Sequence, residues 1–64
     1  MTKKAMAEEI LQNSTASGVS ERRFYRNVNK FTKEWLERAY NMVMTAKTEE
    51  EKKRHADFTI QFLR

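Results

Sequence analysis

No proline interrupts this chain, and its single glycine, Gly18, lies in the first third. Proline and glycine are the residues that most readily end helices and shape tight turns, so a 64-residue chain nearly without them has few breakers. The apolar residues recur at intervals of three and four rather than two, the spacing of a helix with one buried side. The expected fold class is therefore all-α, in a single small helical domain covering residues 1–64.

Three helices are expected. A short N-terminal helix over about 3–13 carries Met6, Ala7, Ile10 and Leu11 along one side. The polar run Gln12 to Gly18 weakens it, and Gly18 suits the left-handed conformation that ends a helix. Ser20 is the natural N-cap of the next helix, with Glu21 favourably placed in its first turn. With no breaker beyond it, a long central helix is predicted to run from residue 20 to residue 46. Thr45-Ala46-Lys47-Thr48 lacks apolar periodicity and suits a short turn. Thr48 and Glu51 then have the capping-box spacing, and Glu49, Glu50 and Glu51 complement the positive end of a C-terminal helix over about 49–63. That helix is expected to pack back as a hairpin through Ala56, Thr59, Ile60 and Leu63, with Phe58 and Phe62 beside the stripe.

Several function classes are excluded early. The chain has no cysteine and one histidine, which removes a disulfide framework and a Cys/His metal site. Glu8 and Glu9 fall where a signal peptide would need an apolar run, and no segment has the length of a membrane span. A cytoplasmic protein with no membrane partner is expected. Asn13-Ser14-Thr15 matches the glycosylation sequon only as a short pattern. His55 lies between Arg54 and Asp57 without a serine or paired carboxylates to serve as a catalytic partner, and three consecutive glutamates point around a helix instead of converging on a cation. Trp35, Tyr40, Met42 and Met44 fall on or beside the apolar arc, where core packing explains them. No enzyme, cofactor or metal site is expected.

The charge distribution is more informative. Residues 1–33 hold seven Lys and Arg against three Glu, whereas residues 34–64 hold six of each sign. The whole net charge of +4 thus belongs to the N-terminal half, which points to a polyanion or an acidic partner. On a continuous central helix, Phe24, Val28, Phe31, Trp35, Ala39 and Met42 share one arc, with Arg22, Arg26, Lys30 and Lys33 opposite and Arg23 at the edge. No acid interrupts the sequence between Arg22 and Lys33. A one-sign stripe about three turns long is spaced to meet phosphates along a groove.

Gly18-Val19-Ser20-Glu21-Arg22-Arg23-Phe24-Tyr25-Arg26 resembles the turn and recognition helix of bacterial helix-turn-helix regulators of the TetR and AraC types. The resemblance spans residues 18–36. It implies that Gly18 makes the turn, that Val19 and Phe24 pack the two helices together, and that Ser20 caps the helix end nearest the phosphates. Glu21, Arg22 and Arg23 would then face the groove, with Tyr25 and Arg26 reaching bases or backbone. Lys33-Glu34-Trp35-Leu36 is similar to the opening of the helix that follows the TetR motif, displaced by two residues. The chain departs from those families at Asn13 and Ser14, where an apolar-alanine pair is usual, and at Ser17.

The expected function is that of a small helix-turn-helix-like regulator, of phage or mobile-element size, which binds duplex DNA, or RNA, through Ser20, Arg22, Arg23, Tyr25, Arg26, Lys30 and Lys33. The alternative is a helical adaptor or inhibitor that occupies a partner protein's surface. Leu36, Tyr40 and Val43 form a second apolar stripe beside the main arc of the central helix, expected to be the seam of a homodimer, and together with Trp35 they are the expected oligomer or partner interface. A chain this short buries only about 60% of its unfolded surface, which also favours a second copy.

Overall fold

The computed structural model describes residues 1–64 and is entirely helical. Four helices follow in order: α1 (Lys3–Asn13), α2 (Glu21–Val28), α3 (Lys33–Met44) and α4 (Glu49–Leu63). Each begins behind a hydroxyl cap in extended backbone. Thr2 accepts from the Ala5 N–H, Ser20 from Arg23, Thr32 from Trp35 and Thr48 from Glu51, which satisfies one of the free donors at each helix start.

The expected long central helix is two helices. α2 stops at Val28 because its last turn tightens, with the Lys30 N–H donating to Asn27 O at 3.0 Å and Phe31 N–H to Val28 O at 3.2 Å. Thr32 then restarts the chain, its hydroxyl accepting from Trp35 N–H at 3.0 Å, with Glu34 in the new first turn. Lys3 seals the break from α1. Its ammonium donates to Phe31 O at 2.7 Å and to Asn29 O at 3.4 Å, giving two carbonyls of the turn a cationic partner at the negative end of α2.

This interruption rephases everything after it. Leu36 and Val43, not Trp35 and Met42, are the α3 residues with no solvent exposure, and Met42 is 54% exposed. The core joins them to Met6, Ala7 and Ile10 of α1, Phe24 and Val28 of α2, and Ala56, Ile60 and Leu63 of α4. α4 buries Ala56, Thr59, Ile60 and Leu63 as the sequence suggests, while Phe58 and Phe62 point outward. Thr59 enters the core at little cost because its hydroxyl donates to His55 O at 3.1 Å. α3 and α4 form the expected antiparallel hairpin, with Trp35 at the start of one helix 6.1 Å from Phe62 at the end of the other. No helix is long and apolar enough to cross a membrane.

Gly18 does adopt the left-handed conformation, at φ +67°, but five residues beyond the last residue of the helix it was expected to terminate. α1 is ended instead by Ser14, whose hydroxyl donates to Leu11 O at 2.7 Å, and by Asn13, whose amide donates to Glu9 O at 2.8 Å.

Two substitutions distinguish the broken helix from a continuous one. Leu36→Ala should cost about 2–5 kcal/mol by opening a core cavity, whereas Met42→Ala should change stability by roughly 0.5 kcal/mol. Thr32→Ala should cost about 1 kcal/mol through the lost cap. Urea unfolding measures all three, and a continuous helix would invert the order of the first two.

Candidate nucleic-acid interface

The connection between α1 and α2 covers residues 14–20. A helix-turn-helix motif joins its helices in about three or four residues, so this link is longer than the resemblance implies. Its course is set by α4. Asp57 accepts from the Thr15 N–H and the Thr15 hydroxyl, both at 2.7 Å, and so fastens the middle of the link to the helix underneath. The departures from the motif at Asn13 and Ser14 have a local cause, since both side chains are committed to ending α1.

α2 is anchored along one side by Phe24 and Val28, both buried. Asn27 ties it to the end of α4, donating to Leu63 O at 3.0 Å and Arg64 O at 3.3 Å. The opposite side is solvent, and Arg22, Arg23, Arg26, Lys30 and Lys33 are all exposed there and in the turn that follows. None takes part in an ion pair. The two pairs in the molecule, Arg38–Glu34 and Lys52–Glu49, lie on α3 and α4. The break at Asn29–Thr32 divides the expected three-turn stripe: Arg22 and Arg26 share the outer side of α2 with Arg23 at its flank, Lys30 belongs to the turn, and Lys33 opens α3. Lys3, which the sequence reading left out of this group, contributes a further ammonium at the same turn. Only the folded chain brings it there, across a separation of 28 residues from Phe31.

The remaining expected contacts are placed differently. Ser20 is exposed but its hydroxyl is engaged as the α2 cap. Tyr25 leans back onto α1, half-buried, its ring edge-on to Phe24 at 5.4 Å and 5.0 Å beneath the Lys4 ammonium. Desolvation by burial, and then the neighbouring Glu8 carboxylate, raise its phenol above the usual range. Its ring thus serves the α1–α2 junction. Of the residues expected at a seam, Leu36 and Val43 are consumed by the chain's own core. Tyr40 is half-buried, with its hydroxyl raised above the ordinary range first by hydrogen bonding to the Glu9 carboxylate and then by burial. Trp35 is likewise half-buried, stacked on Phe31 at 4.3 Å.

Comparison with protein-family models, curated proteins and solved structures finds no match. No group of three His, Cys, Asp or Glu side chains is placed to hold a metal ion.

The Asp57 clasp makes the link below α2 sensitive to acid. The Thr15 N–H, followed by the Thr15 hydroxyl and then the Lys53 charge, holds the carboxyl below its ordinary value of 3.8, against the opposing effect of desolvation. A carboxyl lowered by folding contributes stability above its unfolded pKa, and that contribution disappears as pH falls through the folded value. Asp57→Ala should therefore lower the Tm at neutral pH, and its difference from the wild type should narrow steadily on acidification below 3.8. Thermal melts by circular dichroism across that range measure the effect.

Proposed function

We propose that the protein is a small DNA-binding regulator that contacts duplex nucleic acid with the outer side of α2 and the α2–α3 turn. The observation that supports this reading is the unpaired cationic surface of Arg22, Arg23, Arg26, Lys30 and Lys33. On an ordinary solvated helix face, charges of both signs alternate and pair, as Glu34 and Arg38 do at 2.9 Å on α3. Five cations left without counter-charges repel one another, a cost that a phosphate backbone relieves while releasing its own condensed ions.

The arrangement favours backbone contact over base reading. Arg22 and Arg26 are one turn apart on a helix of only eight residues, and the flanking Tyr25 is half-buried against α1. Arginine forks on such a helix suit phosphate oxygens, while the two lysines extend the positive surface around the turn. Sequence preference would then rest on Arg22, Arg23 and Arg26 at the exposed start and middle of α2. The resemblance to helix-turn-helix regulators points the same way, although the longer connection alters how α2 would be presented.

Five phosphate contacts predict that log affinity falls against log salt with a slope of about −4.5 per bound chain. Arg22→Ala and Arg26→Ala should each reduce that slope by about 0.9 and leave the Tm nearly unchanged, since both side chains are exposed. Fluorescence anisotropy with a labelled duplex over a salt series provides the test. No binding at low salt would overturn the reading.

A further inference from the structure

The chain has four phenylalanines, two tyrosines and one tryptophan, yet Phe24 is the only aromatic residue that is fully buried. One aromatic pair begins inside the cationic turn. Phe31 follows Lys30 directly, with Lys33 two residues on, and its ring stacks on Trp35 at 4.3 Å. Trp35 in turn lines a hollow of about 230 Å³ between α3 and α4, together with Arg38, Ala39 and Met42 on its own helix and His55 and Phe58 on the other. Phe58 is 62% exposed and Met42 54%, so the hollow is open to solvent. It is smaller than the roughly 300–1,000 Å³ of small-molecule clefts and has room for one planar ring.

We propose that this hollow takes a single unpaired nucleobase, a choice of occupant that rests on the nucleic-acid reading of the cationic surface. The preferred ligand is then a duplex that runs on into a single strand. Bases that have left the helical stack are held on aromatic side chains and arginine planes, while cations hold the backbone beside them. Both parts are present within one short stretch, with Lys30 and Lys33 for phosphates and Phe31 and Trp35 for rings. The two lysines are exposed and take part in no ion pair. Arg38 supplies a polar group for the edge of the base. It gives one N–H to Glu34 at 2.9 Å and keeps the rest of its fork for acceptor atoms.

The surrounding acids select the same arrangement. Glu34 and Glu37 are exposed on α3, as are Glu49 and Glu50 at the start of α4. They repel phosphates from the hairpin but not a base, which carries no charge. The backbone therefore stays at the turn, and the base alone reaches Trp35. A paired base cannot do this, because its neighbours in the stack cover its faces.

Trp35 is the only tryptophan, so its emission reports on the hollow. The comparison is between two duplexes of equal length, one blunt and one carrying a short overhang of thymidines. The overhang duplex should bind about tenfold more tightly, the worth of one stacked base, and it alone should quench Trp35. Phe58→Ala should reduce that preference at least about threefold and leave the affinity for the blunt duplex unchanged. Its far-UV circular dichroism should match the wild type, because Phe58 lies outside the core. Equal affinity for the two duplexes with constant emission would overturn the proposal and leave duplex binding standing, whereas failure to bind either would remove both. An overhang preference undiminished in a folded Phe58→Ala would overturn it as well, since the base would then stack elsewhere. Trp35 emission that shifts with protein concentration alone would overturn it by giving the hollow to a second copy.

Discussion

The interruption at Asn29–Thr32 is the constraint on which the rest of the molecule depends. A helix turns about 100° per residue, so any non-helical residues between α2 and α3 reset which side of the later helix meets the core. Here the reset turns Leu36 and Val43 inward and leaves Trp35 and Met42 on or near the surface. It also allows a chain of 64 residues to place four helices, rather than three, around ten buried apolar side chains. Lys3 contributes directly, because its bonds to Asn29 O and Phe31 O satisfy carbonyls that a continued helix would have bonded internally.

With so small a core, polar contacts at helix ends carry unusual weight. Three long-range side-chain bonds fasten segments that helix packing alone would leave loose: Lys3 to the α2–α3 turn, Asp57 to Thr15 in the first link, and Asn27 to the last carbonyls of α4. Each satisfies backbone groups that lie outside the helical ladders, so each supports chain direction as well as stability. Two of the three act on α2 or its flanking turn. The element that carries the cationic surface is thus held by its neighbours at its C-terminal half, while its N-terminal half depends on the Ser20 cap and on Phe24.

Much of this was legible in the chain. The hydroxyl caps at Ser20 and Thr48, the α1 span, the turn at residues 45–48 and the buried stripe of α4 all follow from local chemistry that a single helix expresses by itself. The break was less visible because neither proline nor glycine marks it. Its signals were Thr32 three residues before Trp35, with Glu34 between, and the likeness of Lys33-Glu34-Trp35-Leu36 to a helix opening, which outweighed a periodicity that runs on through Phe31. Reading through the break had a specific consequence: it exchanged the core stripe and the surface stripe of α3. The position of Lys3 could not be read at all, since it depends on how α1 crosses a turn 28 residues away.

The same break explains why charge and apolar surface are segregated. α2 and the turn carry the unpaired cations, and α4 carries the two most exposed rings, Phe58 and Phe62. In a single uninterrupted helix, Arg26 and Trp35 would belong to one rigid rod, and any partner on one side would crowd the other. Separated into two helices, the arginines of α2 and the exposed rings of α4 belong to different elements of a body measuring 30 × 26 × 15 Å, and only the turn, with Lys30 beside Phe31, touches both. A polyanion attracted to the first is repelled by Glu34, Glu37 and the acids that begin α4, which border the second. Electrostatics therefore makes the two surfaces unlike, a division that the sequence prepares by placing its net charge before residue 34.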